Sequence, residues 1–262
     1  MTRLLRRPAF ACTVALPVLL GTSGAVRAAE ITPQALTVDR SESRIAIKLF
    51  RALHDGKRPA VVILHTRQGL AQFSAVYDRY AQALATKNID AVEMSYYDET
   101  DAAMMASSDR AVRQSYFSDH LPVWSRRVHD VVSFMTERRE SSGRIGLLGF
   151  SNGGFLAVAS AATDTRINGL VVFYAGLPDL TTSGRLPPLL ALHGDADPVI
   201  PLSSGQELIE RAKALGGPAE LVVYPGAGHG FDFDISRADA KDAFERAVHF
   251  LAQNLSDPQP RP

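Results

Sequence analysis

Short continuous runs of Val, Ile and Leu alternate with helical spacing along most of this chain, and this alternation constrains its fold more than any other feature. The runs lie at 44–50, 59–65, 90–96, 144–150, 170–176, 188–194 and 220–225. Between them, apolar residues recur at helical intervals, as in Phe73, Val76, Tyr80 and Leu84. Continuous apolar strands separated by helices are typical of parallel sheets that are covered on both faces. The pattern predicts an α/β fold with a mostly parallel central sheet and helices on both faces.

The first 28 residues have the pattern of a secretory signal peptide. The basic stretch MTRLLRRP precedes the apolar stretch AFACTVALPVLL, and small residues occupy the cleavage positions near 26–28. Because the apolar stretch is short and interrupted by Pro17 and Gly21, cleavage is favoured over a membrane anchor. We therefore expect a signal peptide at 1–28, a single domain at 29–262 with a frayed tail from about 256, and a periplasmic or secreted protein that has no membrane attachment after cleavage.

Charge and cysteine content argue against several kinds of partner and site. The chain has 28 Lys and Arg and 28 Asp and Glu, and cleavage after residue 28 would remove four arginines and no acidic residue, leaving a net charge of −4. This mildly acidic composition gives no evident basic surface for nucleic acid. The only cysteine, Cys12, lies in the signal segment, so we expect no cysteine nucleophile in the mature chain. Phosphate-loop, dinucleotide and HExxH signatures are missing, so we expect neither a cofactor nor a metal.

The stretch GFSNG at 149–153 is a G-x-S-x-G motif between a predicted strand and a predicted helix. A serine on such a tight turn has a strained backbone, and neighbouring chain passes so close that Gly149 and Gly153 are needed to avoid clashes. The helix that begins behind Ser151 directs free N–H groups toward any anion formed there. The motif favours an activated serine, but by itself it leaves a glycine-rich structural turn as the alternative.

Two further stretches place polar partners for Ser151 just past strand ends. HGDAD at 193–197 follows the run 188–194, and GAGH at 226–229 follows the run 220–225. Because the carboxyl ends of parallel strands meet at one edge of a sheet, we expect the serine, an aspartate and His229 to converge there. The chain order Ser…Asp…His is the order of α/β hydrolases and differs from that of the chymotrypsin and subtilisin types.

Together, GFSNGG, HGDADPVIP and GAGHGF make residues 44–254 resemble the dienelactone hydrolase family of the α/β-hydrolase superfamily. The resemblance implies Ser151 as nucleophile, His229 as general base and then acid, and Asp197 as the residue that orients the imidazole, with Asp195 as the alternative acid. It also implies an α/β-hydrolase fold. Only about ten residues separate the runs 170–176 and 188–194, which leaves no room there for an inserted lid domain.

An oxyanion hole requires two backbone N–H groups, and one comes from the residue after the nucleophile, here Asn152. For the second, the resemblance points to Arg67, whose side chain either reaches an acidic substrate or lies solvated at the surface. The family proper has a cysteine nucleophile and a glutamate in the oxyanion loop, where this chain has Ser151 and Thr66. The arginines that bind the dienelactone carboxylate are not found at matching positions, which favours a substrate with a neutral acyl or alcohol group.

The stretch 98–118 is predicted to be irregular, and it follows a strand at the sheet edge where ligands bind. It is therefore a candidate pocket wall. Met104, Met105, Tyr116 and Phe117 are its candidates for substrate contact, and packing within a mobile loop is the equal alternative.

These features predict an exported serine hydrolase that cleaves a small-molecule carboxylic ester or lactone through an acyl-enzyme. A peptidase or amidase is the first alternative, because the same triad also cleaves amides. A catalytically silent binding protein on the same fold is the second, and the presence of all three triad residue types argues against it.

Overall fold

The computed structural model describes residues 31–40, 43–178 and 184–256. The predicted signal segment at 1–28 and the tail residues 257–262 lie outside the described residues. The strands are β1 (Gln34–Arg40), β2 (Ser43–Phe50), β3 (Arg58–Leu64), β4 (Asp90–Met94), β5 (Ser141–Phe150), β6 (Ile167–Phe173), β7 (Leu189–Gly194) and β8 (Ala219–Tyr224). The helices are α1 (Gly69–Gln72), α2 (Ser74–Thr86), α3 (Glu99–Met105), α4 (Arg110–Glu137), α5 (Asn152–Ala161), α6 (Leu202–Ala214) and α7 (Ala238–Leu255).

All eight of these strands form one sheet in the order β1-β2-β4-β3-β5-β6-β7-β8. The strands from β4 to β8 in this order are parallel, whereas β2 pairs antiparallel with both β1 and β4. The predicted α/β architecture is confirmed. Strand β1 was not predicted, because it is a largely polar edge strand in which only Val38 is buried.

Apolar side chains pack on both faces of the sheet, as predicted. Trp124 of α4, Leu156 of α5 and Leu208 of α6 belong to the core on one face. Tyr80 of α2 and Leu251 of α7 belong to the core on the other face. Among the helices of the described residues, none combines the length and apolarity that a bilayer span requires.

The stretch 98–118 is helical over most of its length, so the prediction of an irregular segment was wrong. Asp98 and Asp101 form a capping box that begins α3, and Asp109 caps α4 by accepting from the Ala111 N–H at 2.8 Å. Arg127 of α4 donates to the carboxylates of both Asp101 (2.5 Å) and Asp98 (2.9 Å). These contacts tie α3 to α4 and turn the predicted loop into an ordered wall beside the sheet edge.

Candidate active site

Ser151 lies on the tight turn between β5 and α5, with φ 53° and ψ −118°. This conformation is strained for a residue with a side chain and costs on the order of 1–3 kcal/mol. A Cβ atom on Gly149 would lie 2.3 Å from the Gly153 carbonyl oxygen, and one on Gly153 would lie 2.3 Å from the Leu64 carbonyl oxygen. The predicted reason for both glycines is confirmed, because any larger residue would push the turn away from its neighbours.

The structure brings Ser151, His229 and Asp197 into one hydrogen-bonded series. His229 Nε2 lies 3.1 Å from Ser151 Oγ, and His229 Nδ1 lies 2.7 Å from Asp197 Oδ2. The Asp197 side chain is fully buried, and its other oxygen accepts from the Val199 and Ile200 N–H groups at 2.7 and 3.0 Å. The carboxylate is thus fixed by backbone donors and aimed at the imidazole, which is the arrangement that lets a histidine take a proton from a serine.

The alternative acid, Asp195, makes a different contact. Its carboxylate accepts from the Gly226 N–H at 2.6 Å on the exposed side of the loop. The neighbouring His193 is buried and pairs through Nε2 with the Ile200 carbonyl oxygen at 3.0 Å, and burial lowers its pKa. In the part of the chain that the structure describes, no group of three or more His, Cys, Asp or Glu side chains is placed to hold a metal ion.

The two residues predicted to provide oxyanion-hole N–H groups, Asn152 and Arg67, both line the cavity that contains Ser151 and His229. Asn152 is the first residue of α5, so its N–H has no acceptor within the helix. In the loop after β3, the Thr66 N–H already donates to the Tyr77 hydroxyl at 3.0 Å. The Arg67 side chain donates to the Met105 carbonyl oxygen at 2.9 Å and so connects this loop to α3.

The cavity beside Ser151 has a volume of about 600 Å³, and helix α4 forms one of its walls. Five residues of that helix line it, namely Arg110, Arg113, Gln114, Phe117 and Ser118. Their spacing of three and four residues places them on one helical face. Apart from Phe117, these residues were not predicted, because the segment 98–118 was expected to be irregular, although their spacing after the capping residue Asp109 was a usable signal.

Of the four predicted pocket residues, Met105 and Phe117 line the cavity, whereas Met104 and Tyr116 are not among the lining residues. Adjacent residues of a helix point about 100° apart, so Met104 does not share the inward direction of Met105. The Tyr116 hydroxyl donates to Asp101 Oδ1 at 3.0 Å, and its ring stacks on His120. Tyr116 therefore supports the contact between α3 and α4.

The cavity has a positive lining. Arg67, Arg110 and Arg113 contribute guanidinium groups, and no Asp or Glu occurs among the described residues that line it. Arg113 is held in place by a hydrogen bond from its guanidinium to the Ser107 carbonyl oxygen at 2.5 Å. The expectation of a neutral substrate did not take Arg110 and Arg113 into account, because they come from α4 and not from the positions compared in the sequence. For Arg67, contact with an acidic substrate was one of the two expected roles.

Known proteins resemble this chain in sequence and in structure. A Salmonella typhimurium protein named "Putative carboxymethylenebutenolidase" is 30% identical over 138 residues, which cover 47% of this chain and 51% of that protein. The chain thus spans about half the length of this curated relative.

Two solved structures share the fold. The dienelactone hydrolase of Anabaena variabilis has a TM-score of 0.68 at 19% identity, covering 86% of this chain and 99% of that chain. The Pyrococcus horikoshii acylaminoacyl peptidase has a TM-score of 0.70 at 13% identity, covering 88% of this chain and 43% of that chain. The model of the dienelactone hydrolase family matches residues 47–255, which is most of the chain and includes every strand from β3 to β8. The protein therefore belongs to the dienelactone hydrolase family.

Proposed function

We propose that this protein is a serine hydrolase that cleaves carboxylic esters or lactones through an acyl-enzyme. The observation that carries the proposal is the hydrogen-bonded series in which His229 contacts Ser151 Oγ at 3.1 Å and the buried Asp197 carboxylate at 2.7 Å. Family membership supports the same chemistry.

The reaction begins when Ser151 Oγ attacks the carbonyl carbon and His229 Nε2 accepts the hydroxyl proton. The N–H groups of Asn152 and Arg67 stabilise the negative charge on the carbonyl oxygen of the tetrahedral intermediate. The C–O bond to the leaving group then breaks, and His229 gives the proton to the departing alkoxide. In the second half of the reaction, His229 takes a proton from water as the water attacks the acyl carbon. The bond between the acyl carbon and Ser151 Oγ then breaks, His229 returns the proton to Oγ, and the acid product leaves.

The substrate that fits the cavity is an ester or lactone with an acidic group. This part of the proposal is supported by the three guanidinium groups of Arg67, Arg110 and Arg113 together with the absence of acidic residues from the described lining. Guanidinium groups form strong, directional hydrogen bonds with carboxylates and phosphates.

Kinetics of a Ser151→Ala variant test the catalytic assignment. By analogy with measured triads, kcat for p-nitrophenyl esters should fall by about 10⁴- to 10⁶-fold. Ser118→Ala is the matched control, since Ser118 lines the same cavity and has no predicted role. Turnover in Ser151→Ala that equals the turnover of the control would contradict the mechanism.

The substrate class is tested with a pair of p-nitrophenyl esters that differ only in a terminal carboxylate. Arg110→Gln should lower kcat/KM for the acidic ester by about fivefold, because one exposed charge contact contributes about 1 kcal/mol. The neutral ester should be unaffected. Arg126→Gln, on the exposed side of the same helix, should change neither value. Equal effects of Arg110→Gln on both esters would contradict an acidic substrate.

Cleavage of peptide or amide bonds is the second candidate function, because an acylaminoacyl peptidase shares the fold and the same triad cleaves amides. Aminoacyl anilides compared with esters of the same acyl group separate the two activities. Faster turnover of the anilide would favour the peptidase, and absence of turnover on both substrates would favour the silent binding protein.

A further inference from the structure

Tyr174, the residue that follows β6, has a conformation that a tyrosine rarely adopts. Its φ is 39°, and among the described residues only Asn88, Ser151 and Tyr174 combine a side chain with a positive φ. Its N–H donates to the Leu192 carbonyl oxygen at 2.9 Å, and the carbonyl oxygen of the preceding Phe173 accepts from the Ser151 N–H at 3.0 Å. Backbone strain of this kind persists only where surrounding contacts enforce it.

The Tyr174 side chain contacts the candidate catalytic histidine, His229, and the carboxylate of Asp232. The Tyr174 ring packs against the His229 imidazole with centroids 4.5 Å apart and an interplanar angle of 55°. Its hydroxyl donates to Asp232 Oδ1 at 2.8 Å. Tyr174 therefore lies between His229 and a carboxylate three residues further along the same loop.

Asp232 is fully buried and takes no part in the proposed reaction. Its second oxygen accepts from the Tyr80 hydroxyl of α2 at 3.3 Å, and its backbone carbonyl accepts from Arg79 at 3.1 Å. Burial raises the pKa of Asp232 to about 6. A buried carboxylate is costly unless donors compensate it, so its two tyrosine hydroxyls hold the loop of His229 against α2 and β6.

We propose that Tyr174 is a positioning residue for His229, with Asp232 fixing the tyrosine ring; the proposal rests on the function proposed above. The hydrogen bond from Nδ1 to Asp197 anchors one side of the imidazole, and rotation of the ring about that contact would carry Nε2 away from Ser151. The tyrosine ring limits this motion and keeps Nε2 directed at Ser151. The strained backbone is accordingly a cost of placing an aromatic face beside the imidazole.

A matched pair of variants separates positioning from loop stability. Tyr174→Phe and Tyr80→Phe each remove one hydroxyl from Asp232, but only Tyr174 touches His229. For Tyr174→Phe we expect kcat to fall by about tenfold with KM within about twofold, and the pH profile of kcat/KM to shift, because misplacement of catalytic groups impairs the chemical step more than binding. Tyr80→Phe should keep kcat and the pH profile within about twofold of wild type.

Tyr174→Leu, which also removes the aromatic face, should lower kcat by about a hundredfold. NMR provides a readout that does not require turnover, since the ring-current shift on the His229 protons should be lost in Tyr174→Leu and retained in Tyr80→Phe. The inference is overturned when the Tyr174 and Tyr80 variants lose equal activity, when neither loses any, or when the His229 shift survives in Tyr174→Leu. A wild-type protein that cleaves no ester while its His229 shift responds as expected would refute the proposed function and leave the positioning contact intact.

Discussion

Gly153→Ala is the substitution for which the structure makes the sharpest prediction. The new Cβ atom would lie 2.3 Å from the Leu64 carbonyl oxygen and 2.5 Å from the His65 carbonyl oxygen. Both are main-chain atoms at the end of β3, so no side chain can rotate away. Since Cβ contacts below 3.0 Å essentially do not occur, helix α5 and the loop that follows β3 must separate by at least about 0.7 Å.

That separation acts directly on the proposed oxyanion hole. Asn152 precedes Gly153 by one residue, and Arg67 follows His65 by two, so the two N–H donors move apart. A misplacement of about 1 Å costs about a hundredfold in rate, so we expect kcat to fall by about 10- to 100-fold. Overpacking should also destabilise the fold by about 1–3 kcal/mol.

The matched control is Gly169→Ala in β6, where the new Cβ atom would lie 3.5 Å from Asn254 Cβ in ordinary contact. This variant should keep kcat within about twofold. Ester kinetics and thermal unfolding of both variants test the reasoning. Without the clash, alanine near the start of α5 would stabilise the helix by up to about 1 kcal/mol. A Gly153→Ala protein with a raised Tm and wild-type kcat would therefore refute the argument.

The remaining predictions concern Asp197, with Asp195 as its control, and Asp232. Asp197→Asn should lower kcat by about 10⁴-fold, because the amide no longer holds His229 in the required tautomer, whereas Asp195→Asn should stay within about threefold in the same assay. For Asp232, burial raises the pKa from 3.8 to about 6, so the stability it contributes below pH 4 is lost as pH rises through 6. Relative to Asp232→Asn, the wild type should lose on the order of 3 kcal/mol of unfolding free energy between pH 4 and pH 7, measured by urea denaturation; a constant difference would contradict the shift.

Much of the fold can be predicted from the local pattern of apolar residues along the chain. The run 59–65 became β3 and the run 188–194 became β7, because buried parallel strands need continuous apolar residues. β1 could not be found this way, because it is an edge strand that is recognised mainly by its pairing with β2, and only Val38 of it is buried. The first turns of α4 were not predicted, because Arg110, Arg113 and Phe117 face a cavity and do not show the apolar spacing of a core helix.

The candidate site likewise contains some residues that could be predicted from the sequence and others that could not. Ser151, Asp197 and His229 were predicted to converge because each follows a strand end, and parallel strands bring those ends to one edge. Asp232 was not singled out, because its role depends on Tyr80 and Tyr174, which are 152 and 58 residues away along the chain. The signal peptide and the periplasmic or secreted location stay predictions, since residues 1–28 lie outside the described ranges.

Covalent labelling with a fluorophosphonate, followed by mass spectrometry of the tryptic peptides, tests the central claim most directly. We expect one adduct on Ser151 in the folded protein, no adduct in Ser151→Ala, and labelling slowed by several orders of magnitude in His229→Ala. An adduct on another residue, or labelling of Ser151 at the wild-type rate in His229→Ala, would contradict the claim that His229 activates Ser151.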